Sequence, residues 1–156
     1  MVQTIEHYYK VLIGFFSSFQ SLFLLIIRLY WGWQFFVTGK GKLMNIENVA
    51  GFFASLGIPQ PMINAYMAGT TECLGGLLLL LGLGARAACV PLVTVMCVAY
   101  LTAHRDALLG VFSDPNTFVT QDPFLFLMAA VIVLLFGPGV FSIDWILKKN
   151  REQPVR

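Results

Sequence analysis

The chain has 156 residues, of which 58% are apolar and 12% are charged, whereas an ordinary soluble domain has about a quarter charged residues. This composition, with a mean hydropathy of +0.77, excludes a fully water-facing shell and favours a membrane protein. The net charge of +2 comes from dispersed basic residues, which excludes nucleic-acid binding through counterion release, so we expect no nucleic acid among the partners.

Four segments approach the length of about twenty apolar residues that a membrane-spanning helix needs. They cover residues 18–38, 62–81, 86–103 and 123–141. The first ten residues carry neither a basic n-region nor a small-residue cleavage site, so we expect the first segment to be retained. Because the segments are apolar on all sides and do not alternate, the sequence predicts an all-α, four-helix transmembrane bundle that forms one domain over residues 1–156.

Between the first two segments, apolar residues recur at helical spacing from Asn45 to Leu56. Asn45 is a suitable N-cap, and Gly57 and Pro59 follow the last apolar residue, so the sequence predicts a short interfacial helix over residues 45–56. Two interpretations stay open. The helix either packs on the bundle without a further role, or covers an outward-facing pocket.

The fourth segment is interrupted by Gly137, Pro138 and Gly139. The helix therefore either kinks there or ends there and is followed by a short interfacial helix. In the second case Ser142 or Asp144 caps an amphipathic element whose apolar residues face lipid and anchor it, with two lysines among the headgroups.

An even number of spans places both termini on one side of the membrane. Six basic residues lie on that side: Lys10, Arg86, Lys148, Lys149, Arg151 and Arg156. Three lie on the opposite side: Lys40, Lys42 and Arg105. The positive-inside rule therefore predicts that both termini are cytoplasmic.

Two ionisable residues lie near the centres of predicted spans. Arg28 is ten positions before Thr38, and Glu72 is ten positions after Met62, so antiparallel helices place both near the midplane. A lone charge there costs about 2.5–3.5 kcal/mol, which favours pairing. Small residues line the expected contact: Gly32 on the first segment and Ala65, Gly69 and Gly76 on the second. The sequence predicts an Arg28–Glu72 pair across a close helix interface.

The predicted pair has two interpretations. It either fixes helix register, or it forms part of a polar pocket in which Glu72 changes its protonation as the catalytic candidate and Arg28 holds an anionic or carbonyl oxygen. Tyr100 and His104, at the end of the third segment, are further candidate ligand-binding residues. A single histidine there and the spacing of Cys73, Cys89 and Cys97 predict no metal site and no disulfide framework.

Several short motifs share their order and spacing with one known family: Arg28 with Gly32, Gly39 and Lys40; residues 57–61; residues 69–76 around Glu72, followed by Gly82 and Arg86; His104; and Gly137, Pro138 and Gly139 with Ser142 and Asp144. In these the chain resembles the DoxX family of small bacterial membrane proteins, which includes DoxD-type subunits of thiosulfate:quinone oxidoreductase. The resemblance implies a four-helix bundle in the bacterial inner membrane. It also implies a subunit of a redox or electron-transfer system.

The chain lacks a flavin or nicotinamide fingerprint, a haem ligand pair and a cysteine pair, so at most it is a membrane subunit of a quinone-linked oxidoreductase whose partner supplies the electrons. No covalent cofactor is expected. A quinone would receive hydrogen bonds from Arg28 or Tyr100 and protons through Glu72, with Trp31 and Trp33 beside its ring. The alternative is a non-catalytic structural or assembly subunit of a larger complex, in which the charged pair serves helix packing.

The expected surroundings are the lipid bilayer, together with partner subunits or a redox enzyme, and a homo-oligomer is a further arrangement. Solute transport is a third interpretation, which the absence of inverted repeats disfavours.

Overall fold

The computed structural model describes the backbone of residues 2–152 and the side chains of residues 13, 14, 16 and 19–151. The side chains of Lys10 and Arg156, which entered the orientation count, lie outside this part. All regular structure within it is α-helical, which confirms the predicted all-α class. The helices are α1 (Val2–Met44), α2 (Ile46–Ser55), α3 (Pro61–Leu81), α4 (Ala85–Thr102), α5 (Arg105–Leu109), α6 (Pro115–Val119), α7 (Asp122–Phe136) and α8 (Ile143–Glu152).

The four longest helices pack side by side around one apolar core. Helix α1 packs on α3, α3 on α4 and α4 on α7, while α1 also contacts α7 and closes the ring. The core is formed by side chains from all four helices, among them Phe35, Leu79, Leu92 and Val133. Many large apolar side chains point away from this core and are exposed, as expected where the surrounding solvent is lipid.

In the part of the chain that the structure describes, two helices are long and apolar enough to cross a membrane, judged by length and composition: Phe19–Met44 in α1 and Ala85–Thr102 in α4. Helix α7 is apolar but has 15 residues. Helix α1 continues six residues beyond Thr38, where the sequence had placed the end of the first span. This extension changes which residues of α1 and α3 face each other.

Glycines bring the backbones of α1 and α3 into direct contact. A Cβ on Gly39 would lie 2.3 Å from the backbone nitrogen of Cys73, and one on Gly76 would lie 2.5 Å from that of Phe36. Gly32 faces Leu80 in the same way, at 2.8 Å from its backbone nitrogen. No larger residue fits at these positions without separating the helices, so the glycines fix the register of α1 against α3.

The predicted helix over residues 45–56 corresponds to α2, which packs on α3. Asn45 occupies the N-cap position, but its side-chain amide donates back to the Gly41 carbonyl (3.0 Å) instead of capping α2. At the other end, Gly57 has a φ of +74°, and the Ile58 N–H donates to the Phe53 carbonyl. The left-handed glycine ends the helix as predicted from its position.

Helix α7 ends at Phe136, so of the two sequence alternatives the helix stops and does not kink through residue 141. Gly137 has a φ of +81°, which takes the chain out of the helix into a loop over residues 137–142 before α8 begins.

The short helices α5 and α6 connect α4 to α7. At the start of α6, the hydrogen bond from the Thr117 hydroxyl lowers the pKa of the Asp114 carboxyl below its ordinary value.

Candidate functional site

Arg28 is 1% exposed, and its guanidinium donates to four backbone carbonyls. Nε donates to Leu79 (3.1 Å) and Nη2 to Leu80 (3.3 Å), which lie in the last turn of α3. Nη2 also donates to Phe141 (3.1 Å), and Nη1 donates to Pro138. Since the last carbonyls of a helix have no full set of intrahelical partners, Arg28 satisfies the end of α3 and ties it to the 137–142 loop.

Ser142 and Asp144 extend this arrangement to two helix starts. The Asp144 carboxylate accepts the backbone N–H groups of Gly84 (2.7 Å) and Ala85 (3.1 Å), so it caps α4. Ser142 Oγ accepts the Trp145 N–H (3.2 Å), so it caps α8. The sequence had offered the two residues as alternatives for one cap. We refer to Arg28, the 137–142 loop, Ser142 and Asp144 as the Arg28 cluster.

Glu72 is 1% exposed and forms an ion pair with Lys42, through Lys42 Nζ and Glu72 Oε2. Its backbone lies directly against α1, because a Cβ on Gly39 would be 2.8 Å from the Glu72 carbonyl carbon. The Lys42 side chain is 31% exposed. The pair therefore connects a buried carboxylate to the surface of the protein through the stem of one lysine.

The predicted contact between Arg28 and Glu72 is wrong. Gly39 is the α1 residue that faces Glu72, and eleven residues separate it from Arg28, or about 16 Å at 1.5 Å per residue. The prediction measured depth from Thr38 and Met62, but the contacts of Gly39 and Gly76 set the register of α1 against α3, and α1 continues to Met44. Lys42, which the sequence analysis assigned to an outer loop, belongs to α1 and takes the place predicted for Arg28.

Tyr100 and His104 lie at the C-terminal end of α4, which is the end opposite the Arg28 cluster. The Tyr100 hydroxyl donates to the Phe118 carbonyl (2.9 Å), and the two rings stack with centroids 4.5 Å apart. Nδ1 of His104 is hydrogen-bonded to Oε1 of Gln121 (2.8 Å). Both side chains thus hold the segment between α4 and α7, and no hydrogen bond or ion pair of the described residues joins them to Glu72.

The aromatic residues proposed as walls of a quinone slot also separate. Trp31 packs edge-on against Phe126, with ring centroids 5.0 Å apart, whereas Trp33 is 54% exposed on the outside of the bundle. Every buried side-chain nitrogen and oxygen in the described part of the chain has a hydrogen-bond partner. The sequence-predicted ligand residues therefore occupy three separate places: the Arg28 cluster, the Lys42–Glu72 pair and the Tyr100–His104 end.

Sequence reasoning missed Lys42 as the partner of Glu72. A signal was present, because neither a proline nor an N-capping side chain occurs between Thr38 and Asn45. Residues 23–105, which contain Arg28, Lys42 and Glu72, match the DoxX family. The chain belongs to the DoxX family.

Three relatives of this DoxX protein cover most of its length. CatD of Bacillus subtilis, provisionally named an oxidoreductase, is 27% identical over 82% of this chain and 89% of its own. The inner membrane protein YphA of Escherichia coli is 27% identical over 83% and 93%. The membrane protein Rv3486 of Mycobacterium tuberculosis is 33% identical over 81% and 82%. No solved structure matches the chain significantly. Family and composition together identify a DoxX membrane protein.

Proposed function

We propose that this DoxX protein is a four-span subunit of a redox system in the bacterial inner membrane, and that it works with a partner protein that supplies electrons. The oxidoreductase name of the relative CatD and the membrane names of YphA and Rv3486 support this proposal. The observation that carries it is the Lys42–Glu72 ion pair, in which a carboxylate lies buried in an apolar bundle. Ionisable groups inside membrane proteins mark functional sites by default.

The pair is suited to move protons toward a quinone. Two-electron reduction of a quinone takes up two protons at its carbonyl oxygens, and the two electrons come from the reduced partner. The Glu72 carboxyl group would relay these protons, and Lys42 links it to the protein surface. In this proposal the quinone headgroup binds beside Lys42 and Glu72. Arg28 takes no part, because its hydrogen bonds go to backbone carbonyls.

The test is to isolate the protein with its partner in mild detergent, to extract bound quinone, and to measure quinone reduction driven by the partner. Glu72→Gln keeps the shape of the side chain but removes the carboxylate. We expect it to slow quinone reduction by about a hundredfold or more while the bundle stays folded. Glu47→Gln changes an exposed glutamate of α2 and should have no effect. Finding only phospholipid in the extract, with full activity of Glu72→Gln, would contradict the proposal.

The second candidate function is a structural or assembly subunit, and the geometry of Arg28 favours it, since one buried charge already serves packing alone. Under this function the Lys42–Glu72 pair serves packing as well. Lys42→Met should then destabilise the protein by about 3–5 kcal/mol, because it leaves a buried carboxylate unpaired. The double variant Lys42→Met/Glu72→Gln should recover both folding and activity. A double variant that folds but does not support quinone reduction favours the redox function instead.

A further inference from the structure

A groove of about 660 Å³ opens at the end of the bundle where α3 turns into α4. Its walls come from α1, the first turn of α4, the 137–142 loop and α8. Pockets that bind small molecules commonly measure about 300–1,000 Å³, so the groove has the size of a ligand site. The 137–142 loop, Ser142 and Asp144 of the Arg28 cluster line it, whereas Lys42 and Glu72 do not.

The polar side of the groove is cationic. Arg86 and Lys148 line it, and Lys149 and Arg151 lie further along α8. Arg86 is exposed and donates from Nη2 to the Leu135 carbonyl (3.2 Å), which holds the guanidinium against the loop with further donors available. Among the described lining residues, Asp144 is the one carboxylate, and it already accepts two N–H groups from the start of α4.

The other side of the groove is apolar and open to the surroundings. Phe136, Val140 and Trp145 line it and are 59%, 42% and 41% exposed. The apolar side chains of α8 next to Trp145, namely Ile146 and Leu147, are also exposed. An indole beside basic residues is typical of the interface between lipid chains and headgroups.

We propose that this groove binds an anionic phospholipid. The phosphate lies against Arg86 and Lys148, and the acyl chains run along Phe136, Val140 and Trp145. An amphiphile with a negative headgroup complements both sides of the groove, whereas a free phosphate uses only the cationic side. The inference goes beyond the redox function: it rests on the membrane placement of the α8 end and not on quinone chemistry.

The predicted orientation in the membrane favours the same ligand. In the proposed topology this end of the bundle faces the cytoplasm, where anionic lipids attract basic segments close to the membrane surface. Arginine suits the contact because its planar guanidinium can bind two phosphate oxygens at once.

Thermal unfolding of the purified protein in dodecyl maltoside tests the proposal, with phosphatidylglycerol, phosphatidylcholine or inorganic phosphate added separately. We expect phosphatidylglycerol alone to raise the unfolding midpoint. Arg86→Gln should increase the phosphatidylglycerol concentration needed for half of the effect about fivefold. Arg86→Lys keeps the charge but loses the two-oxygen contact, so it should fall between the unmodified protein and Arg86→Gln. Arg105→Gln, which changes an exposed arginine at the opposite end, should leave the response to phosphatidylglycerol unchanged.

Three results would overturn the proposal. Equal stabilisation by phosphatidylcholine would remove the need for a negative headgroup, and an equal effect of phosphate alone would indicate a site for free anions. An unchanged lipid response in Arg86→Gln would place the lipid elsewhere. Should Arg86→Gln fail to fold, Lys148→Gln replaces it, and the lipid preference of the unmodified protein remains decisive. Because unfolding is measured without electron transfer, failure here leaves the quinone proposal untouched.

Discussion

Arg28 connects three parts of the chain that are far apart in sequence. Its carbonyl partners lie 51–52 residues away at the end of α3 and 110–113 residues away in the 137–142 loop. Hydrogen bonds from a charged donor contribute about 1.5–3 kcal/mol each, and backbone carbonyls left without partners in an apolar environment are costly. One side chain thus makes it possible to bury the end of a helix together with an irregular loop.

Arg28→Lys is the sharpest test of this role. Lysine keeps the charge but presents one ammonium group in place of the planar guanidinium, so it cannot reach all four carbonyls. We expect a loss of about 2–4 kcal/mol in the free energy of unfolding, together with faster proteolysis at the 137–142 loop. The measurement is chemical unfolding in detergent followed by limited proteolysis.

Arg105→Lys is the matched control, since Arg105 is exposed, and its stability should be unchanged. An Arg28→Lys variant as stable as the unmodified protein would mean that the carbonyls find other partners and that Arg28 does not hold the loop.

At the level of single residues, the sequence identified Arg28 and Glu72 as unusual but did not identify their partners. Both are buried, in agreement with the cost of exposing a charge to lipid. The partners of Arg28 are backbone carbonyls, which every residue carries, so no side-chain pattern marks them. The partner of Glu72 depended on the register of α1 against α3: Gly39 and not Arg28 faces Glu72, a shift of about 16 Å, of which the later end of α1 accounts for about 9 Å.

At the level of helices, the glycine contacts between α1 and α3 determine where Lys42 meets Glu72. A Cβ on Gly39 would lie 2.3 Å from a backbone nitrogen of α3, where only backbone movement can relieve the overlap. Gly41, two residues later on the same helix, has no atom within 4 Å of such a Cβ. Comparing the same substitution at the two positions therefore separates the effect of close helix packing on stability from the effect of intrinsic helix propensity.

We predict that Gly39→Ala lowers the free energy of unfolding by about 1–3 kcal/mol, because α1 and α3 must move apart. Gly41→Ala should be neutral or stabilise by up to about 1 kcal/mol, because alanine favours the helix. Thermal unfolding in detergent measures both variants. Equal effects of the two substitutions would show that the close approach of the helices contributes nothing to stability.

The helices were easier to predict than their ends. Helix α2 and the stop at Gly137 follow from local signals, namely apolar spacing and glycine with proline. The C-terminal end of α1 has no such signal before Asn45, and its Gly39 packs against α3. Asp144 was recognised as a capping residue, but the helix that it caps, α4, lies 59 residues earlier in the chain.

At the scale of the whole molecule, the proposed four-span topology requires α7 to serve as the fourth span. Its 15 residues extend about 22 Å, which is less than the roughly 30 Å of a bilayer core. The loop that follows would therefore lie partly at the depth of the lipid chains, where an irregular backbone needs internal hydrogen bonds. Arg28 supplies such bonds to Pro138 and Phe141, so the Arg28 cluster can serve as the end of the span.

This arrangement predicts opposite sidedness for the loop before α7 and for α8. In a variant without Cys73, Cys89 and Cys97, Ser113→Cys and Asn150→Cys place single thiols at exposed positions on either side of α7. A membrane-impermeant maleimide should label Ser113→Cys in intact cells but should reach Asn150→Cys only after the inner membrane is permeabilised, because both termini are cytoplasmic in the proposed topology.

Ser55→Cys, at the end of α2, should react like Ser113→Cys and controls for access from outside. Labelling of both Ser113→Cys and Asn150→Cys from the same side would mean that α7 with the Arg28 cluster does not cross the membrane, and that the chain spans it an odd number of times.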